Sequence, residues 1–346
     1  NFIESASNNK IMIWPPGRTN LQDLSCLFET VAYREKNGEI VVKLPDGLKF
    51  ESGSIRKVTH AHNNNKNTND IELPLYLHGY NNVYNVPYNW FHYFYNTNKV
   101  FSNLKEKIEE EVQKTGQKAV LVGYSLGGHF IRYFLTEFSN KKWNSHHISG
   151  IQFGSSVIGG AFPTLIHLIT GQFQKNKLFK TDFFKRMPSF TAMFPNFHAN
   201  KKVIKKTIFN SKSEIETQYI DASHIFERLK KNGKIDKTYE LLYLKGLNFF
   251  KEDIVDPEIR SNFIFNSGIP TINTLNITIK NSKPKYEIVY GEGDGMMPTN
   301  GIKYVLKKWS NVTYHDFNKN DKKFGHLEMI KQPEYTRLTR EFIDSL

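Results

Sequence analysis

Gly123-Tyr124-Ser125-Leu126-Gly127 is a G-x-S-x-G pentapeptide. Such a motif presents a serine on a strained turn between a strand and a helix, and small residues at both glycine positions are expected to be what the turn requires. A serine hydroxyl is a weak nucleophile at neutral pH, so a base must take its proton and a carboxylate must orient that base. Around an elbow of this kind the partners follow in the order acid, then histidine. Tyr286-Glu287-Ile288-Val289-Tyr290 reads as a strand running into Gly291-Glu292-Gly293-Asp294-Gly295, which puts acids at a strand's C-terminal edge, where sites of parallel sheets lie. Asp294 is the expected orienter and Glu292 its rival; a solvated turn acid flanked by glycines is the plain alternative. Of the 12 histidines only His315 and His326 follow Asp294. His315 falls inside a strand pattern, where a structural histidine is the usual reading. His326 follows a polar loop, so it is the expected base.

An oxyanion formed on attack needs preorganised N–H donors. One is expected from Leu126, directly after the serine. For the second, two loops compete. Ile11-Met12-Ile13-Trp14 reads as a strand stopped by Pro15-Pro16-Gly17; the prolines have no N–H, which leaves Gly17 or Arg18. Leu75-Tyr76-Leu77 ending in His78-Gly79 is the other strand-and-loop, and residue types alone do not choose between them.

The elements that must hold these groups are legible in the apolar spacing. Val100, Phe101, Leu104, Ile108 and Val112 recur at helical period, with Gly116 as a C-terminal stop. Lys118 to Gly123 reads as a buried strand, Gly127 to Phe138 as the next helix and Ile148 to Phe153 as another strand. This alternation indicates a parallel sheet covered on both faces. Between about Ser155 and Lys280 it lapses, which predicts an inserted cap. The sheet is expected to resume at Tyr286 to Tyr290, followed by a helix near Ile302 to Trp309, a strand at Val312 to His315 and a helix from about Glu334 to Leu346. Ala61 to Asp70 is Asn-rich low complexity and reads as a surface loop.

Composition bounds the function. With 346 residues, 39% hydrophobic and 23% charged, the chain can bury one large core or two ordinary ones, which excludes disordered and fibrous classes. No 18-residue apolar run is present. Trp143 to Gln174 lacks charges, but Gly150, Gly154, Gly159, Gly160 and Pro163 break it into strand, loop and helix. Cys26 is the single cysteine, so no internal disulfide or thiolate zinc cluster is expected. The chain opens at Asn1 without a methionine or a basic-then-apolar leader, so the expectation is either that a targeting segment was removed or that the sequence was trimmed. The net charge of +13 favours anionic surfaces. Lysines are spread without any nucleic-acid-binding signature, so a nucleic-acid partner is not expected.

Together, several of these residues resemble the lecithin:cholesterol acyltransferase family. The resemblance is carried by Gly123-Tyr124-Ser125-Leu126-Gly127-Gly128, Pro87-Tyr88-Asn89-Trp90, and Phe153-Gly154-Ser155 leading to Gly159-Gly160. Met193-Phe194-Pro195, Gly268-Ile269-Pro270-Thr271 and Gly293-Asp294-Gly295-Met296-Met297-Pro298 extend it in the same order. It implies an α/β-hydrolase with a mostly parallel central sheet, an inserted cap and lid, and a small membrane-binding subdomain. The implied layout is a single unit over 1–346, with the membrane-binding insertion at about 18–70, the cap at about 155–280, a lid near 171–188, and the core resuming over 281–346. It implies acyl-ester chemistry on phospholipids by Ser125, Asp294 and His326, with no cofactor or metal, and a sterol or glyceride hydroxyl as an alternative acceptor to water. A lumenal, vacuolar, lysosomal or secreted location also follows from it. The second oxyanion donor is then Arg18. The family's aspartate and arginine near the P-Y-D-W-R motif are here Asn89 and Phe91, and Tyr124 replaces a common histidine.

The implied lid carries Phe173, Phe179, Phe183 and Phe184 among Lys175, Lys177, Lys180, Lys185 and Arg186, a mixture suited to peripheral insertion at an anionic membrane surface. A solvated loop is the plain alternative. At the level of the whole chain, the competing expectations are a catalytically silent lipid-binding protein on the same scaffold, and a carboxylesterase or neutral lipase.

Overall fold

The computed structural model describes residues 33–41, 55–58, 79–88, 93, 97–170, 186–209, 215–320 and 324–346. Arg18, the expected membrane-binding insertion other than 33–41 and 55–58, and the lid residues Phe173, Lys177, Phe179, Lys180, Phe183, Phe184 and Lys185 lie outside them. In chain order the elements that build the site begin with α1 (Asn98–Thr115), β1 (Ala119–Tyr124) and α2 (Leu126–Tyr133), which ends in a π-helical turn at Phe134–Phe138. Next come α3 (Lys141–His147), β2 (Ile148–Gly154), α4 (Phe162–Thr170) and α5 (Pro188–Ala192). The middle of the chain supplies β3 (Ile204–Phe209), β4 (Ile215–Ile220), α6 (Ala222–Lys231) and α7 (Lys237–Lys251). Then follow β5 (Ser261–Phe265), β6 (Gly268–Ile269), β7 (Thr271–Lys280), β8 (Lys283–Gly291) and β9 (Gly293–Asp294). The chain closes with α8 (Asn300–Leu306), β10 (Val312–Asp316), α9 (His326–Met329) and α10 (Pro333–Asp344).

β10, β5, β2 and β1 lie side by side in that order, every neighbouring pair parallel. Together with the turn at Ser125 this is the central sheet of an α/β-hydrolase. Both faces are covered, as a parallel sheet requires. On one side α1 turns Val100, Phe101, Leu104 and Ile108 inward, and Phe101 meets Phe130, Tyr133, Phe134 and Phe138 in one aromatic cluster. Gly116 stops α1 in a left-handed conformation, φ 71°, with its N–H donated to the Val112 carbonyl. On the other side α10 lies so close to β2 that a Cβ at Gly150 would meet Phe342 Cζ at 3.0 Å, and Leu346 just past the helix at 2.4 Å.

The core returns earlier than the expected residue 281. β5, Ser-Asn-Phe-Ile-Phe, is buried at every position and pairs with both β2 and β10. A strand buried on both faces has no alternation to announce it, and five residues leave little run length. Conversely, Tyr286 to Tyr290 is a strand, as expected, but it does not continue the central sheet. It belongs to β8, which pairs antiparallel with β7 in a separate four-stranded sheet of order β8-β7-β3-β4. Local periodicity identifies a strand and is silent about its neighbours.

The base of that second sheet is joined to the core. Leu275, Ile204 and Ile220, in register across β7, β3 and β4, are buried, and α4 packs against β7. Among the described residues no helix is long and apolar enough to cross a membrane.

Candidate active site

Ser125 is placed by a one-residue turn from strand to helix. β1 ends at Tyr124, α2 begins at Leu126, and Ser125 between them has φ 52° and ψ −121°. A non-glycine residue in that region is strained and persists only where its surroundings hold it. Here the Ser125 N–H donates to the Gly154 carbonyl at 2.8 Å, and the Ser125 carbonyl accepts from Gly128 and Val157, each at 3.2 Å.

The space requirement falls on Gly123 and Gly128 rather than on both glycines of the pentapeptide. A Cβ at Gly123 would meet the Gly127 carbonyl carbon and oxygen at 2.7 Å, and one at Gly128 would meet Ser156 Oγ at 1.9 Å. Gly127 itself has open space where a Cβ would go. The expectation of a small residue at position 127 is therefore corrected, because that side of the first helical turn points away from its neighbours.

Asp294 sits at the end of β9, which pairs with β6 so that Asp294 lies opposite Ile269. The chain then reverses tightly. Thr271 Oγ1 accepts the Gly295 N–H at 2.7 Å, with Gly295 at φ +90°. Asp294 Oδ1 accepts the amides of Met296 at 3.0 Å and Met297 at 2.7 Å. The other oxygen, Oδ2, is 2.7 Å from His326 Nδ1. His326 opens α9, where Gly325 donates its N–H to the Glu328 carboxylate at 3.2 Å. Its Nε2 is 2.9 Å from Ser125 Oγ. Asp294 is 2% exposed and His326 4%, whereas Ser125 is half-buried and reachable.

Burial pushes the Asp294 carboxyl up. The hydrogen bond from His326, that ring's charge, the Met297 amide and the Ser155 hydroxyl together outweigh burial and hold it below the ordinary carboxylate value. The arrangement is a hydroxyl, an imidazole and an anionic carboxylate in line, a geometry suited to removing the serine proton. Leu126, the first residue of α2, has an N–H of the kind that no helical carbonyl satisfies, beside the serine where an oxyanion would form.

The rival residues are occupied elsewhere. The Glu292 carboxylate is exposed and paired with Lys303. His315, in β10, stands edge-on to Phe317 with Nε2 3.8 Å from Glu334. Tyr124 is a site residue whose part the motif alone did not disclose: its hydroxyl donates to the His326 backbone carbonyl, and its ring lies 5.4 Å from the imidazole. The signal for it was its departure from the histidine common at this position. Among the described residues no cluster of metal-ligating side chains forms.

Comparison with known proteins adds to this geometry. A solved structure, the crystal structure of Paleococcus ferrophilus monoacylglycerol lipase, is similar over 70% of this chain and 73% of that one, at 12% identity and a TM-score of 0.28. Phosphatidylcholine-sterol acyltransferase of Gallus gallus is 23% identical over 251 residues, which are 71% of this chain and 58% of that protein. The chain thus spans less than two thirds of that relative's length. The family described as Lecithin:cholesterol acyltransferase matches residues 75–261, which include Ser125 and β2 and stop short of Asp294 and His326. With more than half of its length inside that match, the chain belongs to the lecithin:cholesterol acyltransferase family.

Proposed function

We propose that the protein cleaves or transfers the acyl group of a phospholipid ester through a covalent intermediate on Ser125. The observation that carries this reading is the unbroken line from Ser125 Oγ to His326 Nε2 and from His326 Nδ1 to Asp294 Oδ2, built on a strained elbow. His326 takes the serine proton as Oγ bonds to the acyl carbonyl carbon, and returns it to the departing glycerol oxygen as that C–O bond breaks. Asp294 fixes the imidazole with its N–H at Nδ1 and stabilises the imidazolium that forms. The Leu126 amide meets the oxyanion, and the Arg18 amide is the second donor in this scheme. Water or a lipid hydroxyl then gives up its proton to His326 and releases the acyl group as fatty acid or as a new ester. Family membership supports the lipid acyl substrate.

The test is product analysis with labelled phosphatidylcholine vesicles, with and without sterol or diacylglycerol, using wild type and Ser125→Ala. Free fatty acid plus lysolipid from wild type establishes a phospholipase A. Sterol ester or triglyceride establishes a transferase. Loss of product by about 10⁴-fold or more in Ser125→Ala is expected. Equal product from both proteins rejects the serine intermediate, and no product from either points to a silent lipid carrier.

A further inference from the structure

The second sheet is joined to the core at its base. Its far half, beyond Leu275 and Ile204, extends as a wing whose two sides are read directly from the strand register. On one side Asn276, Lys205, Glu287 and Tyr219 form a row across the four strands. Two residues further along come Thr278, Thr207, Lys285 and Thr217, and at the tip Lys280, Phe209, Lys283 and Ile215. Residues this far apart on a strand share a face. Lys280, Lys283 and Lys285 cluster on β7 and β8, while the apolar groups of the face, Phe209, Ile215 and Tyr219, lie on β3 and β4 together with Lys205 and threonines. Ile215 is 61% exposed and Tyr219 53%, although each has a side chain that burial favours.

The lysines here are not neutralised. Some other surface lysines pair with carboxylates, as Lys107, Lys230 and Lys308 do. Among the described residues no carboxylate pairs with Lys205, Lys280, Lys283 or Lys285. Instead Lys280 lies over the Phe209 ring at 5.5 Å, and neighbouring Lys202 over Tyr219 at 5.2 Å. Glu287, the one acid in these rows, accepts from the Asn276 amide at 3.3 Å.

We infer that this face of the wing docks the protein on an anionic lipid bilayer, with Phe209, Ile215 and Tyr219 at headgroup depth and the lysines against lipid phosphates. Charge complementarity selects an anionic partner. The exposed Ile215 and Tyr219, with half-buried Phe209 beside the lysines, select a bilayer over a nucleic acid, since they match its interface, which is apolar below and charged above. The wing is also continuous with the site: β8 runs into β9 and Asp294 with only Glu292 between the strands. Docking therefore fixes, relative to the membrane, the strand that leads directly into Asp294. The inference rests on the lipid-ester reading for its purpose, but not for its test.

The full chain is mixed with sedimentable vesicles of phosphatidylcholine alone or with 30% phosphatidylserine, composition being the variable, and its hydrolysis of p-nitrophenyl butyrate is followed in parallel. Wild type is expected to bind the anionic vesicles preferentially. The exposed triple variant Lys280→Glu, Lys283→Glu, Lys285→Glu should bind them about 100-fold more weakly. Ile215→Ser should cost about tenfold on the same vesicles. Both variants should keep the wild-type melting temperature and butyrate rate. Wild-type vesicle affinity in the triple variant overturns the inference, as does equal binding of wild type to both vesicle types. Lysine-dependent capture of RNA without vesicle binding also overturns it. Absence of butyrate hydrolysis in wild type, with the vesicle results intact, counts against the proposed chemistry and leaves the docking face standing.

Discussion

Asp294 spends both of its oxygens: one faces His326, and the other takes the amides of Met296 and Met297. Asp294→Asn keeps the shape and an oxygen to accept the two backbone amides, while its own NH2 can no longer enforce the imidazole tautomer. The rate constant kcat is expected to fall about 10⁴-fold with KM little changed, as steady-state kinetics on a soluble ester will read. The same residue carries a pH signature. Its carboxyl titrates below the ordinary value of 3.8 in the folded protein, because its hydrogen bonds outweigh burial. Its stabilisation is therefore complete above the unfolded carboxylate range and is lost as pH falls through the folded value. Urea unfolding of wild type and Asp294→Asn should show a stability gap that narrows as pH drops below about 4; a gap that widens there contradicts the assignment. Tyr124 acts at one remove, through the His326 carbonyl. Tyr124→Phe is expected to lower kcat about five- to tenfold, the worth of one net hydrogen bond, with KM unchanged. A change confined to KM would place Tyr124 against substrate instead.

At the scale of elements, the elbow is a packing device more than a sequence pattern. Gly123 faces the Gly127 backbone and Gly128 faces Ser156, whose hydroxyl in turn donates to the Gly123 carbonyl at 3.2 Å. Gly123→Ala and Gly128→Ala should each cost about 1–3 kcal/mol by overpacking. Gly127→Ala, on the first turn of α2 with open space around it, should be neutral or gain up to about 1 kcal/mol from helix propensity. Thermal melts of the three variants separate these outcomes, and a Gly127→Ala loss matching the other two contradicts the packing argument. The strand, turn and helix were legible because their apolar runs and 3.6-residue spacing are local. Chain order and glycine flanks narrowed the expected acid and base to few candidates, and Asp294 and His326 are the two that the structure brings into line with Ser125. What sequence could not supply was non-local: β5 hides in a five-residue buried run, and β8 carries a strand pattern that fits either sheet. The Tyr124 hydroxyl reaches a carbonyl 202 residues away, which no spacing rule records.

Across the whole molecule, the +13 charge enters the proposed docking only where lysines stand beside exposed apolar groups. Surface lysines paired with carboxylates contribute little to a long-range field, because each pair is nearly neutral beyond its own length. The wing concentrates unpaired lysines at the far end of a sheet rooted beside Asp294, so attraction to an anionic surface acts on that end of the protein. Salt then distinguishes two steps. Raising ionic strength from 0.05 to 0.5 M shortens the screening length from about 14 Å to about 4 Å and weakens contact between wing and headgroups. It leaves the Ser125, His326 and Asp294 line largely untouched, because Asp294 and His326 are buried and their hydrogen bonds are short-range. Turnover of phosphatidylcholine in anionic vesicles should accordingly fall about tenfold or more over that range, while hydrolysis of a short soluble ester stays constant. In neutral vesicles the salt dependence should be small, and charge reversal at Lys280, Lys283 and Lys285 should flatten it in anionic ones. Parallel loss on vesicles and soluble ester would instead place the salt-sensitive step at the catalytic site itself.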